Sequence, residues 1–149
     1  VMLIVCLFLV AGVTSPNPTQ VGVERISAAG PAGIVRITRH PVMWATGLWA
    51  LSHLIANGDA ASVIFFGTFA VLALGGTLLI ERRKRISLGD AWPPFAAATS
   101  NIPFAAIIAG RAGVSLGDIG YGRLAGGVAL FAALMAVHGL AFGVSSMPF

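Results

Sequence analysis

Charge is what this sequence has least of. Nine Lys and Arg and five Asp and Glu make up 9% of its 149 residues, where a soluble domain carries about a quarter. So few charges cannot clothe a water-facing surface. Cysteine is nearly absent as well: Cys6 stands alone inside an apolar run, which excludes an intrachain disulfide, and no Cys or His lies near it at metal-ligand spacing. Cys6 is read as lipid-facing or core packing. The sequence also lacks a Ser/His/Asp grouping, a CxxC pair, paired carboxylates and a phosphate-cradling glycine loop. The chemistry of soluble enzymes is therefore not visible in it.

What is present is apolar. Hydrophobic residues form 57% of the chain and the mean hydropathy is +0.92, so the expected fold class is all-α: a polytopic transmembrane helical bundle, a single membrane domain over residues 1–149, with the lipid bilayer as its first partner. The net charge of +4 and pI near 10.7 suggest nucleic acid at first sight. The basic residues, however, flank apolar segments, where they report topology, and no nucleic-acid partner is expected.

Spans follow from length, since crossing hydrocarbon takes about 20 apolar helical residues. Ala60 to Ile80 and Leu124 to Val144 run that far without a charge. Pro41 to Ala56 is shorter, opens with proline at a first helical position and closes at Asn57-Gly58-Asp59. Val1 to Val13 reaches only about 20 Å at 1.5 Å per residue, short of a ~30 Å core. It begins without Met, has no basic n-region or small-residue cleavage site, and reads as the second half of a span, a partial crossing over 1–13. Thr14-Ser15-Pro16-Asn17-Pro18-Thr19 ends that helix. Ile102 to Ala109, flanked by Trp92-Pro93-Pro94 and Arg111, is too short to cross and suggests an interfacial or re-entrant piece.

All nine basic residues, from Arg25 to Arg123, fall in the stretches 14–40 and 81–123, while the other side has the turn at Asp59 and the uncharged tail Ser145 to Phe149. The positive-inside rule makes both basic loops cytoplasmic. The run Arg82 to Arg85 is a solvated or head-group-facing surface before it is any specific ligand site.

An ionisable residue inside a span is costly and marks a functional hypothesis. Thr46, Ala50, His53 and Asn57 recur at i, i+4, i+7 and i+11 on one face of the second span, with Trp44, Leu48, Leu51 and Ile55 roughly opposite, so His53 is expected to point into the bundle. A neutral imidazole there either bonds a neighbouring Ser, Asn or carbonyl, or binds a metal or heme iron through one nitrogen. Spacing alone leaves both open. Trp49, one turn earlier, suits a flat cofactor, a bundle core or an interfacial anchor equally. In the last span Ala125, Ala129, Ala132, Ala136, Gly139 and Gly143 form a small-residue stripe fit for close helix packing, and His138 lies off it. Arg39-His40-Pro41 stands at the mouth of the second span, as an anion site or as anchoring at a helix start.

The segments TSPNPTQVG, GIVRITRHPVMWATGLWALSHLIANGD and SNIPFAAIIAGR resemble the NnrU family of bacterial membrane proteins, which is similar to plant and cyanobacterial 15-cis-zeta-carotene isomerases. The resemblance covers nearly the whole sequence. It implies a multi-span helical protein and, from the isomerases, a heme b held by two histidines, a hydrophobic polyene substrate and isomerisation of a cis double bond dependent on reduced iron. The ligand in the stretch matching LWALSH is His53. The second belongs to a span upstream of the matched region, so no residue here inherits that role by motif. His138 as a substitute, a ligand from outside this sequence, and no heme at all are the alternatives. NnrU itself is associated with denitrification and nitrogen-oxide metabolism. Two other classes compete: membrane methyltransferases share an Arg-His-Pro motif, followed by a segment that ERRKRISLGDAWPPF faintly resembles with Glu81 alone in place of a glutamate pair, and a noncatalytic small subunit of a larger membrane complex needs no chemistry.

Overall fold

The computed structural model describes residues 1–20, 26 and 30–144. Arg25 of the first basic loop and the uncharged tail Ser145 to Phe149 lie outside the described residues. Every described element is helical: α1 (Met2–Thr14), α2 (Pro41–Ala56), α3 (Ala60–Leu88), α4 (Trp92–Ala98), α5 (Ala105–Ile108), α6 (Leu116–Ile119) and α7 (Tyr121–Phe142), with 3-10 turns at Gly33–Arg36 and Gly89–Ala91.

The four longer helices stand in a row. α2 packs on α3 on one side and on α1 on the other, and α1 packs on α7. A glycine sits at each of the three interfaces. A Cβ added at Gly12 would lie 2.9 Å from Val42 Cγ2, one at Gly47 would lie 2.5 Å from Leu74 Cδ2, and one at Gly127 would lie 2.9 Å from Leu7 Cα. Missing side chains therefore set how near the helices approach, as is usual where lipid offers no hydrophobic drive for helix association.

Burial is inverted relative to a water-soluble bundle. The outer faces of α3 and α7 expose Ile64, Phe65, Val71, Leu72, Leu79, Leu140 and Phe142, a belt that water would penalise at roughly 25 cal/mol per Å². The stretch 60–98 and the helix Tyr121–Phe142 each contain a segment long and apolar enough to cross a membrane. The tight core lies instead at the end carrying the basic loops, where Ile34, Val35, Ile37, Trp92, Phe95 and Ile119 close over Val5, Phe8, Ala11 and Ala45.

Three features go beyond the sequence reading. Helix α3 continues past the apolar segment that ends at Ile80, through Arg82 to Arg85 to Leu88, because Glu, Arg and Lys are good helix formers, and it breaks only at Gly89, whose φ is 50°. The prolines after Trp92 occupy the first turn of α4, where a missing N–H costs no bond. The alanine stripe of α7 is not its packing face within this chain. Ala125, Ala129, Ala132, Ala136 and Gly139 are exposed, and the positions turned toward α1 are Gly126 and Gly127, where added Cβ atoms would meet Val10 and Leu7. The piece around Ile102 to Ala109 forms the single turn α5 behind Phe104, which adopts φ 66°; Phe104 N–H donates to the Ile37 carbonyl (2.8 Å) and ties the segment to the mouth of α2.

Candidate functional site

The mouth of α2 gathers residues that are far apart in sequence. Arg39 donates from Nε (2.9 Å) and from a terminal nitrogen (2.7 Å) to Glu81 Oε1 on α3, and His40 Nε2 lies 3.2 Å from the same oxygen. The other Arg39 nitrogen donates to the Ala96 carbonyl and to Thr99 Oγ1, both at 3.2 Å, and its guanidinium carbon sits 5.6 Å from the Trp92 ring centre. The Arg39 carbonyl accepts from Asn17 Nδ2 (2.8 Å) and Thr19 Oγ1 (2.6 Å). Asn101 Nδ2 donates to Thr77 Oγ1 (3.0 Å) while its carbonyl accepts from Trp44 Nε1 (2.9 Å). The loop after α1, the start of α2, the middle of α3 and the loop before α5 are thereby locked into one polar knot. Among the described residues no buried side-chain polar atom there lacks a partner.

Glu81, which stands alone in the sequence, proves to be the hub of this knot, and no periodicity could have paired it with a loop 42 residues earlier. Because a carboxylate only accepts, His40 Nε2 carries the proton of that contact. His40 is 1% exposed. Burial pushes its pKa below the ordinary 6.5, outweighing the hydrogen bond to Glu81 that pulls it up. The folded chain therefore resists protonation at His40, so stability is full above the unfolded value and falls as pH drops below about 6.5. The unfolding midpoint should decline between pH 7.5 and 5.5, and His40→Gln should flatten that decline. An identical slope in the variant would assign it to other groups. Arg39 and His40 are both turned to Glu81, whereas the methyltransferase reading asks them to contact an anionic or polar ligand.

His53 occupies the other end of α2. Its Nδ1 lies 2.9 Å from the Trp49 carbonyl one turn back. A carbonyl cannot donate, so Nδ1 holds a proton in this contact, and Nε2 is the ring nitrogen that would carry the lone pair for a ligand. No described residue bonds that nitrogen. The ring stacks on Phe66 of α3 (centroids 5.0 Å, planes 27° apart) and lies 5.2 Å from Trp49, which meets Phe66 and Phe69 edge-on. His53 is half-buried and faces the α2–α3 seam, on the side carrying the fully buried Ala50. Ile55 on the opposite face is 87% exposed. The helical stripe thus located the seam, but the aromatic wall comes from α3 and was not legible in α2 alone.

His138 is not brought to His53. It lies on α7, beyond α1 from α2, with its Nδ1 2.9 Å from the Val144 carbonyl and its ring beside Phe142. Among the described residues no three His, Cys, Asp or Glu side chains cluster at metal-holding distance. A macrocycle-held iron would need an imidazole donor of the kind that His53 Nε2 offers.

Fold and site together define a polytopic helical membrane protein with a polar knot at one end of α2 and a histidine in an aromatic seam at the other. A family model described as NnrU protein matches residues 1–146, and the chain belongs to the NnrU family. Over 79 residues, 53% of this chain, it is 38% identical to the chloroplastic 15-cis-zeta-carotene isomerase of Zea mays and 35% identical to that of Arabidopsis thaliana. The matched stretch spans 22% of each of those relatives. No solved structure matches.

Proposed function

We propose that this chain is the membrane part of a heme-b-dependent cis–trans isomerase acting on a hydrophobic polyene, with His53 Nε2 as one iron ligand. The observation that carries the reading is the Nδ1–H of His53 committed to the Trp49 carbonyl, which leaves Nε2 as a free donor beside an aromatic surface. Heme, when bound, supplies a redox-active iron at which a polyene double bond can be weakened and reset. The protein's part is to hold and tune. The Trp49 carbonyl fixes the tautomer and ring orientation of His53, as outer-shell partners of ligating histidines do, while Trp49, Phe66 and Phe69 offer flat apolar surface and exclude water. A polyene reaches this end of the bundle from the bilayer, past the exposed Phe65 and Phe69 of α3. The family resemblance supports the same ligand, and the reading we take with it is a bacterial inner-membrane protein whose basic loops are cytoplasmic by the positive-inside rule.

A second reading is favoured by one feature, the exposed alanine and glycine stripe of α7: a noncatalytic subunit docked in a larger membrane complex, of which nitrogen-oxide metabolism is the family's associated setting. The absorbance spectrum of protein purified from heme-replete cells separates the two. A Soret band is expected in the wild type, retained in His138→Ala and lost in His53→Ala. A colourless wild type that co-purifies with a partner would replace the isomerase reading with the subunit one.

A further inference from the structure

Helix α3 ends the row, and its outer face meets no other element. On that face Val71, Gly75, Leu78, Arg82 and Arg85 recur at i, i+4, i+7, i+11 and i+14, one stripe of a 3.6-residue helix. Together with Leu72, Leu79 and Ile86 they line an open groove of about 1090 Å³. Its floor is hollow because Gly75 has no side chain and nothing stands within 4 Å of where its Cβ would be.

The groove is apolar over one half and cationic at one end. From Val71 to Arg82 the helix rises about 16 Å at 1.5 Å per residue, close to half of a ~30 Å hydrocarbon core, so the apolar part spans one leaflet and the arginines stand at head-group level. Glu81 also borders the groove, but its Oε1 is taken by Arg39 and His40. Arg82 and Arg85 are exposed and have no hydrogen-bond or ion-pair partner among the described residues. Two free guanidiniums above a leaflet-length apolar channel match a ligand with an anionic head and a hydrocarbon chain.

We propose that this face of α3 is a binding site for an anionic phospholipid of the leaflet on the basic-loop side, its phosphate on Arg82 and Arg85 and one acyl chain lying in the groove over Gly75. The site is independent of His53 and of any heme chemistry. Its occupant stiffens the end of α3 that carries Glu81, and thereby the knot at the mouth of α2.

Native mass spectrometry of the full chain released from detergent, with phosphatidylglycerol or phosphatidylcholine of identical acyl composition, tests it. Phosphatidylglycerol adducts should exceed phosphatidylcholine adducts roughly thirtyfold, the combined attraction of two basic residues for an anionic lipid surface. The preference should vanish in the Arg82→Gln/Arg85→Gln double variant and survive Arg83→Gln, which lies outside the groove. Gly75→Leu fills the groove from a position whose Cβ meets nothing within 4 Å and leaves the charges in place, so it should fold and still lose the adduct. Equal retention of the two lipids, or a preference untouched by both the double variant and Gly75→Leu, would overturn the proposal. Full displacement by inorganic phosphate would assign the arginines to a free anion instead, and a dimer that Gly75→Leu dissolves would assign the groove to a second copy.

Discussion

Glu81→Ala is expected to destabilise the folded chain by about 3–5 kcal/mol, the cost of leaving one partner of a buried ion pair uncompensated. The side chain of Arg39 is 9% exposed and that of Glu81 20%, so water cannot readily take the place of the carboxylate. The loss reaches beyond the pair. Arg39 also holds the Ala96 carbonyl and Thr99 Oγ1, and its own carbonyl anchors Asn17 and Thr19. The start of α2, the end of α4 and the loop after α1 should therefore loosen together. Arg39→Met combined with Glu81→Leu should recover much of the loss, since an apolar replacement of a buried pair is often neutral, but not all of it, because the Ala96 and Thr99 acceptors lose their donor. Detergent-solubilised protein unfolded by heat, followed by circular dichroism, reads both effects. A single Glu81→Ala variant within 1 kcal/mol of wild type, on the order of an exposed pair, would show that Arg39 finds solvent and that the knot is not held by this charge.

Gly127→Leu carries the second large effect, about 3 kcal/mol, at the upper end for overpacking. The added carbon would meet the backbone of Leu7, at 2.9 Å from Cα and 3.2 Å from N, and backbone cannot rotate aside as a flexible side chain would. Helices α1 and α7 must separate. In Gly122→Leu on the same helix the added Cβ meets nothing within 4 Å, and the change should cost little or gain slightly, because replacing a helical glycine removes a propensity penalty of up to ~1 kcal/mol. Ala132→Leu on the exposed stripe should be similarly mild in the isolated chain. Equal stability of the Gly127 and Gly122 variants would mean that the two helices are not in contact through this glycine.

The class of protein and the rough positions of α2, α3 and α7 were determined by sequence alone, because hydrocarbon imposes a length and an apolar composition that local residues must satisfy whatever their neighbours are. Within α2 the period of Thr46, Ala50 and His53 was legible for the same reason: it depends only on helix geometry. The run of Arg82 to Arg85 bounds the apolar segment without ending the helix, whose backbone continues to Leu88, a boundary that the apolar length alone does not give. The partners of these helices were decided by tertiary structure. That Gly127 and not the alanine stripe meets α1, that Phe66 stacks on His53, and that Glu81 receives both Arg39 and His40 depend on which helix stands beside which. A periodic pattern says which face is special, and only the neighbouring backbone and side chains say what that face touches.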